Sequence, residues 1–320
     1  MKANTSLGVL AVLLWSSSVA LSRSLTESLG TLTAAASIYS VAGVLGCVYV
    51  WRSPQVLQSM RTLATRYLIV CGSLFVAYMI CLYMAIGLAT SRPQVIVVGL
   101  INYLWPSLSL VFSIPILKRT AKPLLLPGIA LALGGVWLAA GLGQTLSLRD
   151  ALIGSGAWLP YTFALGAALS WALYSNLSRR WAAASASGGV PVFLLASGMV
   201  LALLRLLVHE TSAWTLPTTA TLLYMAIFPG LCAYLFWDIG VRKGDITLLT
   251  SISYLAPLLS TLVSAIVLGV APSTGFWLGV ALVIVGAVVC KLAIADEAQI
   301  VLGNNTLTTE NTEHTEGICD

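Results

Sequence analysis

An all-α integral membrane protein, with ten transmembrane helices set as two inverted five-helix repeats, is the fold class this sequence predicts, and three observations predict it. Only 8% of the residues are Asp, Glu, Lys or Arg while 58% are hydrophobic, against roughly 25% charged in an ordinary soluble domain. Apolar runs of spanning length recur along the chain between short polar breaks. A nine-residue segment at 101–109 returns at 252–260 with six positions identical.

The low charge and a mean hydropathy of +0.95 make lipid the solvent for most of the chain. Lipid cannot satisfy backbone groups, so only helices or a closed barrel can span it. The runs lack the period-two alternation of barrel strands, which leaves helices. The expected spans are 7–23, 31–51, 67–89, 94–117 and 124–143 in the first half, then 158–180, 189–208, 219–240, 246–269 and 274–294. Residues 1–143 form the first repeat, 144–157 a connecting loop, 158–294 the second repeat, and 295–320 a polar, disordered cytoplasmic tail rich in Asn and Thr. Lys2 and Ser18-Val19-Ala20 mimic a cleavable leader. However, Trp15, Leu21, Ser22 and Arg23 match Trp171, Leu177, Ser178 and Arg179, so the first helix is expected to be retained.

Basic residues set the orientation. With the N-terminus inside, twelve fall on the cytoplasmic side: Lys2, Arg52, Arg61, Arg66, Lys118, Arg119, Lys122, Arg179, Arg180, Arg242, Lys243 and Lys291. Four fall on the other: Arg23, Arg92, Arg149 and Arg205. That asymmetry predicts cytoplasmic N- and C-termini. No cluster joins several basic residues to exposed aromatics, so no nucleic-acid partner is expected. The cysteines lack CxxC spacing and both histidines, His209 and His314, stand alone, so neither a metal site nor a cofactor is expected. A lipid-modifying enzyme in the membrane would need a nucleophile or metal set that this chain does not supply.

The repeat is the most informative feature. At an offset of 151, Ile101–Ser109 aligns with Ile252–Ser260, Ser113 with Ser264, Gly128 with Gly279 and Gly135 with Gly286. Five helices per half is an odd number, so the second half enters upside down. Carriers use such inverted repeats to exchange inward and outward openings. Asn102, Pro106, Ser109 and Ser113 share one helical face, and Ser253, Pro257, Ser260 and Ser264 repeat it. The serines also suit close helix packing. Pro106 and Pro257 each free a carbonyl one turn earlier, at Asn102 and Ser253, which predicts kinks or gates with polar groups beside them. Trp15, Tyr78, Tyr83, Tyr103, Trp171, Tyr174 and Tyr254 lie deeper than an interfacial belt, and with Asn102 and Ser253 they are the expected substrate-binding residues. Trp51, Trp158, Trp181, Trp214 and Trp277 belong to helix ends, where belts form. Asp238, near the end of helix eight, stands four residues before Arg242 and is expected to form an i,i+4 ion pair at the interface. Without an embedded carboxylate free for coupling, a neutral or zwitterionic solute is the better cargo.

Trp15…Arg23 with Trp171…Arg179, Tyr-x-x-Pro twice (Tyr103–Pro106, Tyr254–Pro257), and Gly-x6-Gly twice (Gly128–Gly135, Gly279–Gly286) together resemble the EamA-type drug/metabolite transporter superfamily. The Leu-Gly-Glu segment that many members carry after helices four and nine is missing at Pro115–Lys118 and Leu268–Ala271. The resemblance implies an inner-membrane carrier with a central cavity that exports amino acids, aromatic ones included, and contacts membrane lipids. Export of other small metabolites or lipophilic cations is the alternative, since aromatic walls can hold cations.

Overall fold

The computed structural model describes residues 3–89, 98–99, 101–139, 158–259, 262 and 274–295, apart from the side chains at 17–20, 23, 136, 139, 276 and 295. Ser260, Ser264, the side chain of Ser18, the 144–157 connection and the tail beyond 295 lie outside them. The described chain is almost wholly helical: α1 (Ala3–Leu29), α2 (Thr31–Arg52), the short α3 (Pro54–Arg61), α4 (Tyr67–Leu88), α5 (Trp105–Leu117) and α6 (Leu125–Ala139). After the connection come α7 (Trp158–Ala182), α8 (Val190–Leu206), α9 (Leu216–Lys243), α10 (Ile246–Leu259) and α11 (Thr274–Ala293). A two-residue antiparallel bridge, β1 (Thr120–Ala121) with β2 (Ile294–Ala295), ties the start of α6 to the end of α11. Among the described residues α2, α4 and α9 are each long and apolar enough to cross a membrane alone. The surface carries large apolar side chains such as Leu126, Leu206, Leu207 and Leu216, each more than 70% exposed. Water would penalise such a surface, whereas lipid accepts it. Trp51, Trp158, Trp214 and Trp277 are exposed at helix ends, as a belt requires. Trp181 is half-buried instead, with the Arg66 guanidinium 5.5 Å above its ring.

The helices pair in a regular way. α2 packs on α8, α6 on α11, α4 on α7 and α1 on α9. Glycine sets the two closest crossings. A Cβ added at Gly43 would lie 2.3 Å from Leu195 N, and one at Gly198 would lie 2.4 Å from Ser40 N. Each glycine thus meets the residue three positions before the other. The crossing of α6 and α11 repeats the device: a Cβ at Gly135 would meet Gly279 O and Val283 N, while one at Gly286 would meet Ala132 N and Gly128 O. Gly279 and Val283 are the offset-151 counterparts of Gly128 and Ala132. Within each pair the partners run antiparallel: Gly46 lies against Pro191 and Gly43 against Leu195, while Thr33 reaches Arg205. Small residues that let backbones touch drive helix association where lipid removes the hydrophobic effect.

At one end of the α2–α8 pair, the first N–H groups of α2 find their partner across the crossing. Glu210 accepts from Leu32 N and Thr33 N, both at 2.9 Å, and from the Thr33 hydroxyl at 2.8 Å, with Arg205 Nε 3.3 Å away. Gly30, the preceding residue, has φ +87 and supplies no side-chain cap, so Glu210 serves in its place. Partial burial works against ionisation of Glu210, but these donors and Arg205 outweigh it and hold its carboxyl below the ordinary value.

Candidate substrate site

An aromatic core forms where α1, α4, α5, α7 and α9 converge. On α7, Trp171 and Tyr174 stand three apart on one face; on α4, Phe75, Tyr78 and Met79 do the same, and on α9, Tyr234 and Trp237. Ring centroids of Trp15 lie 5.7 Å from Trp171, 5.1 Å from Tyr234 and 5.5 Å from Trp237. Tyr78 sits 4.7 Å from Trp171, and Trp105 of α5 meets Trp237 edge-on at 5.3 Å. The Trp15 indole N–H donates to Pro229 O at 3.2 Å. That carbonyl lies in a π-helical stretch of α9, Ala226–Cys232, where Pro229 has no N–H to give and the wider turn presents backbone oxygen sideways.

Within this core the residues divide by access. Trp171, Tyr174 and Trp237 are fully packed. Trp15, Tyr78, Tyr83, Asn102 and Tyr103 keep accessible surface. Tyr78 and Tyr83 pack against the aromatic core on their buried sides. Asn102 and Tyr234 both neighbour Tyr78. Asn102 Oδ1 is buried with no hydrogen-bond partner, as are Ser109 Oγ and Asn176 Oδ1. A buried acceptor without a donor costs about 1–3 kcal/mol, so an acceptor left open on this wall is poised to take a donor from a bound solute.

The proline-bearing segments behave differently in the two halves. Upstream of Pro106, regular helix gives way at Tyr103–Leu104, and Leu104 N bonds to Ile101 O at 3.1 Å. Upstream of Pro257, Ser253–Leu255 is a 3₁₀ turn whose Ser253 carbonyl accepts from Ala256 N. Sequence reasoning expects that carbonyl to be free; the tighter turn takes it up instead. The Ser253 hydroxyl also bonds back to Leu249 O at 2.7 Å, and Tyr254 is buried against α6 and α11, bonded to Ser107 at 2.5 Å. The structure therefore brings Trp15, Tyr78, Tyr83, Trp171 and Tyr174 into one cluster, with Asn102 beside Tyr78, and sets Tyr254 in a separate one. Pro106 is buried and Pro257 half-buried, so both helices turn their motif inward.

Two features escape sequence reasoning. Tyr39 of α2 joins the core: its hydroxyl lies 3.3 Å from that of Tyr83 and 3.5 Å from that of Tyr234. It sits in a uniform apolar run, with only its polar tip to mark it. The second is the depth of the Asp238–Arg242 pair. The spacing correctly gives the ion pair, with Arg242 Nη2 2.8 Å from Asp238 Oδ2, but both side chains are buried in protein rather than exposed on the helix surface. The connection after α7 folds over them. Gly188 passes so close that a Cβ would lie 2.1 Å from Asp238 Oδ2, and Arg242 donates to Ala182 O and Ser185 O. Asp238 also accepts from Tyr174 and Ser178 at 3.3 and 3.2 Å. Its lone pairs are spoken for, which leaves it a structural anchor of α7 to α9. Among the described residues no group of three His, Cys, Asp or Glu could hold a metal ion.

Comparison with known proteins decides the family. The profile of the EamA-like transporter family matches residues 158–291. The aromatic amino acid exporter YddG of Salmonella typhimurium is 35% identical over 292 residues, covering 90% of this chain and 97% of that protein. This chain belongs to the EamA-like transporter family. YddG of Escherichia coli is 33% identical with the same coverage, and YddG of Ancylobacter novellus 30% identical, covering 90% of this chain and 96% of that protein. A solved crystal structure, 28% identical, superposes with a TM-score of 0.76 and covers 91% of this chain and 98% of its own. The protein is a membrane transporter of YddG-like type and not an enzyme.

Proposed function

We propose that the protein exports amino acids, aromatic ones included, across the inner (plasma) membrane by alternating access. Residues 1–143 and 158–294 act as two inverted five-helix halves around the aromatic site, joined by 144–157. Both termini and the 295–320 tail lie in the cytoplasm. The names of the YddG relatives support the substrate class. The helix pairing supports the inversion: exchanging the halves maps α2–α8 and α6–α11 onto themselves and α4–α7 onto α9–α1, with partners antiparallel. The glycine crossings obey the same exchange.

The observation that carries the reading is the wall of half-accessible aromatics, Trp15, Tyr78, Tyr83 and Tyr103, beside the partnerless Asn102 oxygen. Flat faces suit an aromatic side chain, and polar tips suit its zwitterionic end. Trp171 and Tyr174 back this wall, Pro106 and Pro257 shape the two helices that flex, and Ser253 and Tyr254 brace the opposite one. Purified protein in liposomes is expected to pass phenylalanine, tyrosine, tryptophan, threonine or methionine down an imposed gradient. Absence of flux for all five overturns the proposal. The same faces could also hold a lipophilic cation, so such a cation belongs in the panel as a competitor.

A further inference from the structure

Among the described residues every buried serine except Ser109 has a bonded side chain. Most turn back onto their own helix, as Ser113 does to Leu110 O at 2.6 Å and Ser197 to Phe193 O at 2.8 Å, the ordinary fate of a hydroxyl buried in a helix. Ser109 Oγ bonds to nothing. Across the α5–α7 seam stands Asn176, wholly buried. Chemistry fixes the orientation of its amide: Nδ2 donates to Ser109 O at 3.0 Å and to Ala172 O at 2.9 Å, and a carbonyl only accepts, so the amide oxygen cannot take the nitrogen's place. Both amide protons are used, and Oδ1 is left without a partner. The seam thus holds an open acceptor on Asn176 and, on the residue bonded to it, a hydroxyl able to donate or accept. Buried atoms left in this way are costly unless something else bonds to them.

The pair lies one turn past the aromatic site. Helices α5 and α7 run parallel here: Trp105 meets Trp171 at 6.4 Å, Ser109 meets Asn176, and Arg180 reaches Ile116 O further along. Along α5, Trp105 separates Ser109 from the half-accessible Asn102, and it is itself buried against Trp171 and Trp237. In the orientation proposed above, Ser109 is on the cytoplasmic side of Trp105. We infer that Ser109 Oγ and Asn176 Oδ1 form a second subsite for the zwitterionic head of the transported amino acid, reached when the α5–α7 seam opens. Asn176 Oδ1 accepts from the ammonium group and the Ser109 hydroxyl donates to the carboxylate. Neither side chain is charged, which suits a cargo whose own charges cancel. The inference rests on the amino-acid-carrier reading above.

Ser109→Ala tests it, because the hydroxyl it removes has no bond in the protein to lose. A serine that only packs would leave phenylalanine transport unchanged and the melting midpoint level or higher. The subsite predicts a half-saturation for phenylalanine in proteoliposomes raised about ten-fold, the scale of one charge-assisted hydrogen bond, with a midpoint no lower than that of the wild type. Added phenylalanine should also raise the variant's midpoint less than it raises the wild type's. Ser113→Ala, one turn on, removes a hydroxyl bonded within its own helix and should leave half-saturation within about two-fold. A half-saturation unchanged in Ser109→Ala overturns the subsite and leaves the two atoms to bound water. A midpoint that falls in step with transport makes the hydroxyl a brace and overturns it as well. A wild type that passes no amino acid overturns the carrier reading instead, a distinct result.

Discussion

The same Tyr-x-x-Pro segment leads into α5 and lies within α10 at an offset of 151, yet the two copies place their side chains in opposite ways. Just before α5, Asn102 and Tyr103 are half-accessible, with an amide oxygen left open at Asn102. On α10 their counterparts Ser253 and Tyr254 are buried and bonded, Ser253 to its own helix and Tyr254 to Ser107. The cause lies in residue chemistry. A serine hydroxyl can reach back to the carbonyl four residues earlier, which removes it from the lumen. A planar asparagine amide has two donors and two acceptor lone pairs, more than one back-bond can satisfy, so part of it stays available. Likewise Trp105 carries α5 into the aromatic core, where α10 has the small Ala256. Repetition of sequence therefore preserves the backbone device, a break before a proline, while a few substitutions decide which copy keeps polar groups accessible and which copy packs them away.

The largest expected effect concerns the frame on which that contrast depends. Arg242→Met strands Asp238 as a buried, unpaired charge and should cost about 3–5 kcal/mol, read as a lower melting midpoint in detergent. A variant that melts like the wild type would show that the pair does not hold α7 to α9. Next comes the contrast itself. Asn102→Leu should weaken phenylalanine transport by roughly ten- to thirty-fold in half-saturation, about 1.4–2 kcal/mol, while Ser253→Ala, which removes only a back-bond to its own helix, stays within about two-fold. Equal losses in both would erase the distinction between the helices. Smaller again, Tyr254→Phe leaves Ser107 without its partner and should lower stability by about 1 kcal/mol with little change in half-saturation. A rise in half-saturation would place Tyr254 in the site.

The smallest effect is a pH dependence at the far end of α2. The Glu210 carboxyl is held below its ordinary value of 4.5 in the folded protein. Its contribution to stability is therefore fully present above that value and is lost as pH falls through the lower folded one. Melting midpoints followed downward from about pH 6 should fall more steeply for the wild type than for Glu210→Gln, and parallel curves would contradict the assignment.

Much of this was legible in the residues. The apolar runs marked the helices because a lipid solvent leaves little else for them to be. The repeat marked the two proline-bearing segments, and the i,i+4 spacing marked Asp238–Arg242. What stayed hidden depended on tertiary placement. Nothing near Asp238 announces that Gly188 will fold over it. Tyr39 reads like any tyrosine in an apolar run until Tyr83 and Tyr234 arrive from other helices. The back-bond of the Ser253 hydroxyl to Leu249 O is equally silent in the repeat, which pairs Ser253 with Asn102 without showing where either side chain turns.

The most direct test of a lumen lined by α5 rather than α10 is substrate-protected labelling. Asn102→Cys and Ser253→Cys, each made in a background whose six native cysteines are replaced, would be treated with a small membrane-permeant maleimide in proteoliposomes. The account predicts that the cysteine at 102 is modified and that phenylalanine slows its modification, while the cysteine at 253 reacts slowly with or without phenylalanine. Equal labelling and equal protection at both positions would contradict it.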